Sequence, residues 1–118
     1  MRHRKGIAKL GLPTDQRLAL LKNLTKSLIR YKQIETTDVR AKQLKKFIEP
    51  LITIAKTDSV HSKRKVFSSL QDKILTKELF ENIAKLFANT NGGYVSIIKK
   101  GRRRGDGALV SVVKFSIS

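Results

Sequence analysis

The chain of 118 residues contains no cysteine and no tryptophan, and only two of its residues are proline. Without cysteine, neither a disulfide nor a thiolate metal site can form. No apolar run approaches the roughly 20 residues that a membrane-spanning helix needs. The N-terminus is basic, but Gly6, Lys9 and Gly11 interrupt the residues after it, so the apolar segment of a signal peptide is missing. These features predict a soluble protein of the cell interior or of an organelle stroma, without a membrane partner.

Acidic residues are also few. Nine Asp and Glu stand against 26 Lys and Arg, which gives a formal net charge of +17. Self-repulsion at this charge destabilises the compact state, and polyanions are attracted over distances that salt screening sets. We therefore expect a partner that neutralises the excess charge. The candidates are nucleic acid, an anionic membrane and an acidic protein.

Residues that could carry catalysis are sparse. The two histidines, His3 and His61, lie far apart, no His-Glu-x-x-His motif occurs, and no nucleophile motif surrounds a serine. The glycine and lysine spacing of a phosphate-cradling nucleotide loop is missing as well. The sequence therefore predicts that the protein is not an enzyme, with no catalytic residue, no metal site, no cofactor and no small-molecule substrate.

The positive charge is uneven along the chain. Residues 1–57 carry a net charge of +10, residues 58–98 carry +2, and residues 99–118 carry +5. This pattern predicts one side that faces a polyanion and a second side of ordinary composition.

Hydrophobic periodicity predicts an α+β protein with the element order α-β-α-α-α-β-β, its helices packed on one small mixed three-stranded sheet. Residues 1–12 are predicted to form a basic extended arm, and residues 13–118 a single domain. The first helix should start with Thr14 as its N-cap and end near Tyr31. Its leucines predict one apolar stripe, and cations at four-residue steps are expected on the opposite side. The leucines are Leu18, Leu21, Leu24 and Leu28, and the cations are Lys22, Lys26 and Arg30.

A strand is predicted over residues 33–36, followed by a second helix that Thr37 or Asp38 caps. Pro50 should kink that helix or divide it in two. Its apolar positions are Ala41, Leu44, Phe47 or Ile48, Leu51 and Ala55, and the lysines expected on its far side are Lys42, Lys45, Lys46 and Lys56.

The remaining sequence predicts two helices and a hairpin. A third helix should run from residues 58–59 to Leu70, and a fourth should start at Thr76 as its cap and end at residues 91–93. Leu79, Phe80, Ile83, Leu86 and Phe87 are its predicted apolar positions. Alternating residues over 94–99 and 109–117 predict an antiparallel hairpin with a basic tip at residues 99–107.

Two segments concentrate donors that match phosphate geometry. One is the arm, and the other is the hairpin tip, which places five cations in six residues among glycines that permit close backbone approach. A solvated tail, a solvated loop and a nuclear-localisation mimic are the alternatives for these segments. The three consecutive cations at residues 63–65 and the helical stripes are weaker signals, because lysines on a helix surface usually serve solubility.

Two single residues complete the candidate interface. Arg17 opposes the dipole of the first helix, and an external anion could offset that cost. Tyr94 could stack on a base or ribose, although a tyrosine at a strand start is more often half in the core. The candidate RNA-binding set is Arg2, His3, Arg4, Lys5, Lys9, Arg17, Lys22, Lys26, Arg30, Arg40, Lys42, Lys45, Lys63, Arg64, Lys65, Tyr94, Lys99, Lys100, Arg102, Arg103 and Arg104.

Several of these segments resemble, in one order along essentially the whole chain, the bacterial-type large-subunit ribosomal protein family numbered seventeen. The matching stretches are residues 1–4, 34–42, 49–56 and 92–94, with the basic run and Gly105-Asp106 after them. The resemblance implies an α+β domain bound to large-subunit rRNA near the exit of the nascent-chain tunnel, beside other ribosomal proteins. It also implies that Arg2, His3, Arg4 and Lys5 are buried rRNA contacts.

Residues 13–17 are more similar to cyanobacterial and plastid members of that family than to most bacterial ones. The resemblance therefore implies a ribosome of the bacterial cytoplasm or of the plastid stroma. The alternative from another class is a DNA-packaging or architectural protein. It would share the charge, but neither a recognition helix, a dimer seam nor an apolar intercalating wedge is obvious in the sequence.

Overall fold

A computed structural model describes residues 14–116. The elements in chain order are α1 (Thr14–Tyr31), β1 (Gln33–Thr37), α2 (Asp38–Ala55), α3 (Val60–Leu70), α4 (Lys73–Glu78), a π-helical turn (Leu79–Ile83), α5 (Ala84–Leu86), β2 (Val95–Arg102) and β3 (Leu109–Phe115). The predicted order α-β-α-α-α-β-β is confirmed, with α4, the π-helical turn and α5 together forming the fourth predicted helix. The predicted arm, residues 1–12, lies outside the described part.

The sheet has the strand order β1-β3-β2, and both of its pairings are antiparallel. The predicted hairpin of β2 and β3 is confirmed, whereas the expectation of a mixed sheet is wrong. The physical reason is the position of β3. The strands β1 and β2 run in the same direction, but β3 lies between them, so no parallel pair forms.

The core lies between one face of the sheet, the inner face of α2 and the inward side chains of the other helices. Side chains alternate along β3, so that Val113 and Phe115 are buried while Lys114 is exposed. Leu44 and Ile48 of α2 are completely buried against this face, and Leu28 and Ile29 of α1 belong to the same cluster. The apolar positions predicted for α2 are confirmed in this packing. No helix among residues 14–116 has the length and apolar character to cross a membrane.

The two faces of α1 differ from the prediction. Leu18 is 49% exposed, whereas Thr25 and Ile29 are buried. Lys22 precedes Ile29 by seven residues, which places the two side chains only about 20° apart around the helix axis. Lys22 is accordingly half-buried beside the core, not opposite to it.

The helix α2 continues through Pro50 and is not divided into two helices. Thr37 caps it, because its hydroxyl accepts the backbone N–H of Arg40 at 3.4 Å. Pro50 is exposed, so its ring points away from the core. Lys56, expected on the far side of this helix, instead lies over the buried ring of Tyr94.

The fourth helical segment starts earlier than predicted. The carboxylate of Asp72 accepts the N–H of Leu75 at 3.0 Å and caps α4, while Thr76 is buried inside the helix. The π-helical turn adds a residue to the spacing of the following side chains, which rotates the apolar stripe. As a result Leu86 is 56% exposed, although Phe87 is buried as predicted.

Candidate nucleic-acid interface

Two candidate cations that are far apart in sequence converge on one carboxylate, that of Asp38. Asp38 is 6% exposed at the start of α2 and accepts a hydrogen bond from the Ser111 hydroxyl of β3 at 2.8 Å. Lys42 lies 3.2 Å from the same carboxylate, and Lys99 on β2 interacts with it electrostatically. We call Lys42 and Lys99 around Asp38 the α2–hairpin patch. The fold thus joins helix and hairpin cations into one surface.

The bond from Ser111 and the pairing with Lys42 hold the pKa of Asp38 below its ordinary value of 3.8, against the opposing effect of burial. The carboxylate is therefore ionised at neutral pH. With two cations around one anion, the α2–hairpin patch keeps a positive excess toward solvent.

The tip of the hairpin is held by its own acidic residue. Arg103 donates two hydrogen bonds to Asp106, from Nε at 3.1 Å and from Nη2 at 2.7 Å, and the N–H of Ala108 donates to the same carboxylate at 3.1 Å. Arg102 donates to the Gly107 carbonyl at 3.0 Å. The guanidinium of Arg103 lowers the pKa of Asp106, and the carboxylate raises the pKa of Arg103. Two of the five clustered cations therefore stabilise the loop.

The other tip cations point in different directions. Lys99 lies on the α2 side of the sheet, whereas Lys100 forms an ion pair with Glu35 of β1. A bulge between Lys99 and Gly101, where φ is +135°, changes the alternation at this point. Arg104 is exposed and makes no hydrogen bond or ion pair with any residue between 14 and 116. Its guanidinium is therefore not committed to the loop, unlike those of Arg102 and Arg103.

The cations of α1 do not form a single exposed stripe. Lys22 donates to the side-chain oxygen of Gln71 at 3.0 Å, next to the start of α4. Arg17 and Lys26 are half-buried, and Arg30 is exposed. On α2, Arg40 is exposed and Lys45 is half-buried.

The basic cluster on α3 divides between two environments. Lys63 forms an ion pair with Asp58 at 3.1 Å. Lys63 and Arg64 line a groove of about 880 Å³, and the exposed Lys65 does not. The groove is completed by cations that the sequence patterns did not single out, namely Lys73, Lys77 and Lys85. The four-residue step from Lys73 to Lys77 could have indicated that these two lysines lie on one face of a helix.

Of the two interpretations of Tyr94, the structure favours the one that places it in the core. Its ring is 2% exposed and lies edge-on to Phe87, with 5.2 Å between the ring centroids. Its hydroxyl shares a hydrogen bond with Thr53 Oγ1 at 3.2 Å and accepts one from Lys56 Nζ at 3.3 Å. The bond with Thr53 and the nearby ammonium lower the pKa of Tyr94 below its usual 10.0, although burial opposes them.

The contacts of Tyr94 fix the start of the hairpin on α2. Lys56 also donates to the Thr90 carbonyl, and the Glu49 carboxylate accepts the N–H of Val95 at 3.1 Å. These residues therefore position the hairpin and are not its contact surface. The sequence showed Tyr94 after two glycines, but not that the last turns of α2 would hold its hydroxyl.

The arm candidates Arg2, His3, Arg4, Lys5 and Lys9 lie outside the described residues. Between residues 14 and 116, no group of three His, Asp or Glu side chains is placed to hold a metal ion.

Comparison with known families agrees with this architecture. The model of the family described as Ribosomal protein L17 matches residues 20–116. The chain belongs to this family. It is 48% identical over 110 residues to the large ribosomal subunit protein bL17 of Clostridium beijerinckii, covering 93% of this chain and 97% of that protein. The protein of the same name from Dictyoglomus turgidum is 49% identical over 115 residues, covering 98% and 99%. The one from Bacteroides thetaiotaomicron is 52% identical, covering 98% of this chain and 71% of that protein.

Membership of the L17 family confirms the resemblance seen in the sequence motifs. The matched residues include α2 and the complete hairpin. The similarity to cyanobacterial and plastid members stays a prediction.

Proposed function

We propose that this L17-family chain is a structural constituent of the large ribosomal subunit that binds and stabilises large-subunit rRNA near the nascent-chain tunnel exit. The observation that carries the proposal is the match over residues 20–116, together with relatives that bear the name large ribosomal subunit protein. The net charge of +17 supports a polyanionic partner. In this role the protein supports translation as a structural and not a catalytic component. Its ribosome is one of the bacterial cytoplasm or of the plastid stroma.

The geometry supports a rigid hairpin as part of the rRNA contact. Because Asp106 fixes the loop through Arg103, the exposed Arg104 projects from an ordered tip and loses little conformational entropy on binding. The α2–hairpin patch adds Lys42 of α2 and Lys99 of β2 to these contacts. Arginine forks and lysine point charges are suited to phosphate oxygens.

We infer that recognition depends on RNA shape. Cations spread over the start of α2, the strand β2 and the hairpin loop can contact separate backbone segments of a folded RNA. Phosphate and 2′-hydroxyl contacts do not require a base sequence. The arm residues Arg2, His3, Arg4 and Lys5 are proposed to add contacts of the same kind. Other large-subunit proteins are the proposed neighbours.

The alternative of a DNA-packaging or architectural protein has no support from the comparisons. Family membership favours the ribosomal function over it.

The test is a binding titration of the full chain with large-subunit rRNA and with duplex DNA at several salt concentrations. If about ten phosphates are neutralised, the affinity for rRNA should fall by roughly three to five decades between 50 and 200 mM salt. Replacing Arg104 by Ala should weaken binding and reduce the salt slope by about one. An affinity that salt does not change, or a preference for duplex DNA, would overturn the proposal.

Arg104→Ala has a matched control in the same loop. Arg103→Ala removes the same charge but also the bonds that order Asp106, so it should weaken rRNA binding more than Arg104→Ala does. Co-sedimentation with the large subunit through a sucrose gradient, before and after a moderate salt wash, then tests the assembly itself.

A further inference from the structure

The groove between α3 and the segment that starts at α4 has an unusual combination of apolar and basic walls. Its apolar part contains Val60, which is 65% exposed, Phe67, which is 38% exposed, and the edge of the buried Phe80. Val60 and Phe67 are seven residues apart on α3, which places them on one face, two helical turns or about 10 Å from each other. Two spaced apolar anchors therefore lie open to solvent in a concave surface.

The rim of the groove carries excess positive charge. Lys63 and Arg64 come from α3, and Lys73, Lys77 and Lys85 come from the opposite wall, while Asp58 and Glu81 are the two acidic residues. Asp58 already pairs with Lys63. Within the described part of the chain, Arg64, Lys73 and Lys77 have no ion pair. The local excess is three positive charges.

The groove and the hairpin are built on different elements. The hairpin strands pack on α2, whereas α3 contacts α1, α2 and α4. The groove is therefore formed by residues other than those of the hairpin.

We propose that this groove is the docking site for an amphipathic helix of a partner protein, in which acidic residues flank an apolar face. Apolar anchors two turns apart, between two helical walls, match the way a helix lies in a groove. The surrounding cations complement acidic flanks and would set the orientation of the helix. A phosphate backbone would use the cations but leave Val60 uncovered, since an aliphatic side chain gives a base no stacking surface. The observations thus favour a protein segment over RNA, and the inference does not depend on the rRNA proposal.

The probe for the test is a synthetic helical peptide of about 16 residues, with leucines along one face and glutamates on both flanks. Full-length chain labelled for NMR is titrated with this peptide, and the affinity is measured by fluorescence anisotropy. The expected result is chemical-shift changes centred on Val60, Phe67 and Lys77. A peptide of identical composition in scrambled order has the same charge but no apolar stripe, so it should bind at least about tenfold more weakly.

Two neighbouring charge reversals separate the groove from the general charge of the protein. Arg64→Glu reverses a cation that lines the groove, while Lys65→Glu reverses the next residue, which is equally on α3 and exposed but outside it. Arg64→Glu should weaken peptide binding about tenfold relative to Lys65→Glu. Arg64 and Lys65 are both candidate RNA-binding cations, so the two reversals should weaken rRNA binding to a similar extent. If the wild-type chain does not bind rRNA at all, the ribosomal proposal is refuted and this one is not affected.

Three results would overturn the inference. The first is that the ordered and scrambled peptides bind equally, and the second is that the shifts centre on the hairpin. The third is that an rRNA fragment occupies the groove and displaces the peptide, which would assign the groove to RNA.

Discussion

Asp38 and Asp106 each accept hydrogen bonds from two other residues. Asp38 receives Ser111 from the sheet and Lys42 from its own helix, and Asp106 receives Arg103 and the N–H of Ala108. In a chain with nine acidic residues, these carboxylates reduce repulsion at the points where cations are closest together. Each carboxylate therefore holds a part of the basic surface in one conformation, although the repulsion among its cations favours disorder.

The acid sensitivity of the fold results from these pairings. Folding lowers the pKa of Asp38, Asp106 and Glu78, so the unfolded chain binds more protons between the folded and unfolded pKa values. The stabilisation is complete above the unfolded values of 3.8 and 4.5 and is lost as the pH falls through the lower folded values. We expect the midpoint of thermal unfolding, measured by circular dichroism, to be level near neutral pH and to drop below about pH 4.

Asp38→Asn tests whether the pairing of Asp38 contributes to the loss of stability in acid. The variant should have a lower midpoint at neutral pH and a shallower decline in acid, because its amide cannot titrate. An acid decline as steep as that of the wild type would show that Asp38 contributes little.

Tyr94 allows a test that separates packing from RNA contact. In Tyr94→Phe the ring stays in place, but the bonds with Thr53 and Lys56 are lost, which should lower the free energy of unfolding by about 1 kcal/mol. The affinity for rRNA should be unchanged, because the ring is buried. Denaturant unfolding and the rRNA titration measure the two effects.

Tyr31→Phe is the matched control, since Tyr31 is 64% exposed and its loss of a hydroxyl should change neither quantity. If Tyr94→Phe instead lost much of its rRNA affinity and kept its stability, the result would show that the Tyr94 hydroxyl contacts the rRNA directly.

The helix α2 carries the sheet on one side and a proline in its last turns. Pro50 has no N–H for the carbonyl of Lys46, and its ring crowds the preceding turn. Since Pro50 is exposed, Ala at this position would leave the core packing intact. Pro50→Ala should therefore raise the free energy of unfolding by about 1–2 kcal/mol, the larger helix gain being partly offset by a more flexible unfolded chain.

Denaturant unfolding of Pro50→Ala against the wild type measures this change. The carboxylate of the adjacent Glu49 accepts the N–H of Val95 at the start of β2. The amide resonances of β2 therefore report whether the substitution moves Glu49. A decrease in stability, with altered amide resonances in β2, would mean that the proline shapes α2 to fit the sheet.

Local patterns were sufficient to predict most elements, because caps, periodicity and turn glycines depend on neighbours in sequence. A cap at Thr37 or Asp38, the antiparallel hairpin and the end of α1 near Tyr31 were predicted in this way, and the structure selects Thr37 as the cap. The π-helical turn and the start of α4 at Lys73 were not, since two capping residues four apart compete and tertiary packing selects one.

The candidate site was predictable in composition but not in arrangement. The sequence identified the basic tip, yet the roles of Asp106 and Asp38 depend on contacts that the fold makes. Lys42 and Lys99 come together because both interact with Asp38, and Asp38 is bonded to Ser111, 73 residues farther along the chain. The burial of Tyr94 and the basic groove beside α3 likewise require the packing of helices that no local pattern specifies.

The molecule as a whole combines a strong positive charge with a core of ordinary helices and a small sheet. Its ends in sequence carry most of the charge, and the middle segment carries a net +2. In the fold, the hairpin and the start of α2 form one basic surface, and α3 with α4 forms the second. The two surfaces differ in kind, because apolar side chains are exposed in the groove and the tip is polar.

This combination predicts opposite responses to salt for stability and for binding. In the free chain, KCl screens the repulsion among 26 cations, so the midpoint of thermal unfolding should rise by roughly 4 °C for each 1 kcal/mol of repulsion removed. In the complex, the same salt competes with counterion release, so the affinity for rRNA should fall. Calorimetry of the free chain and the rRNA titration, both between about 50 and 500 mM KCl, measure the two trends. A midpoint that falls with salt would show that ion pairs such as Arg103 with Asp106 outweigh the repulsion, and that the free chain does not need a polyanion to relieve its charge.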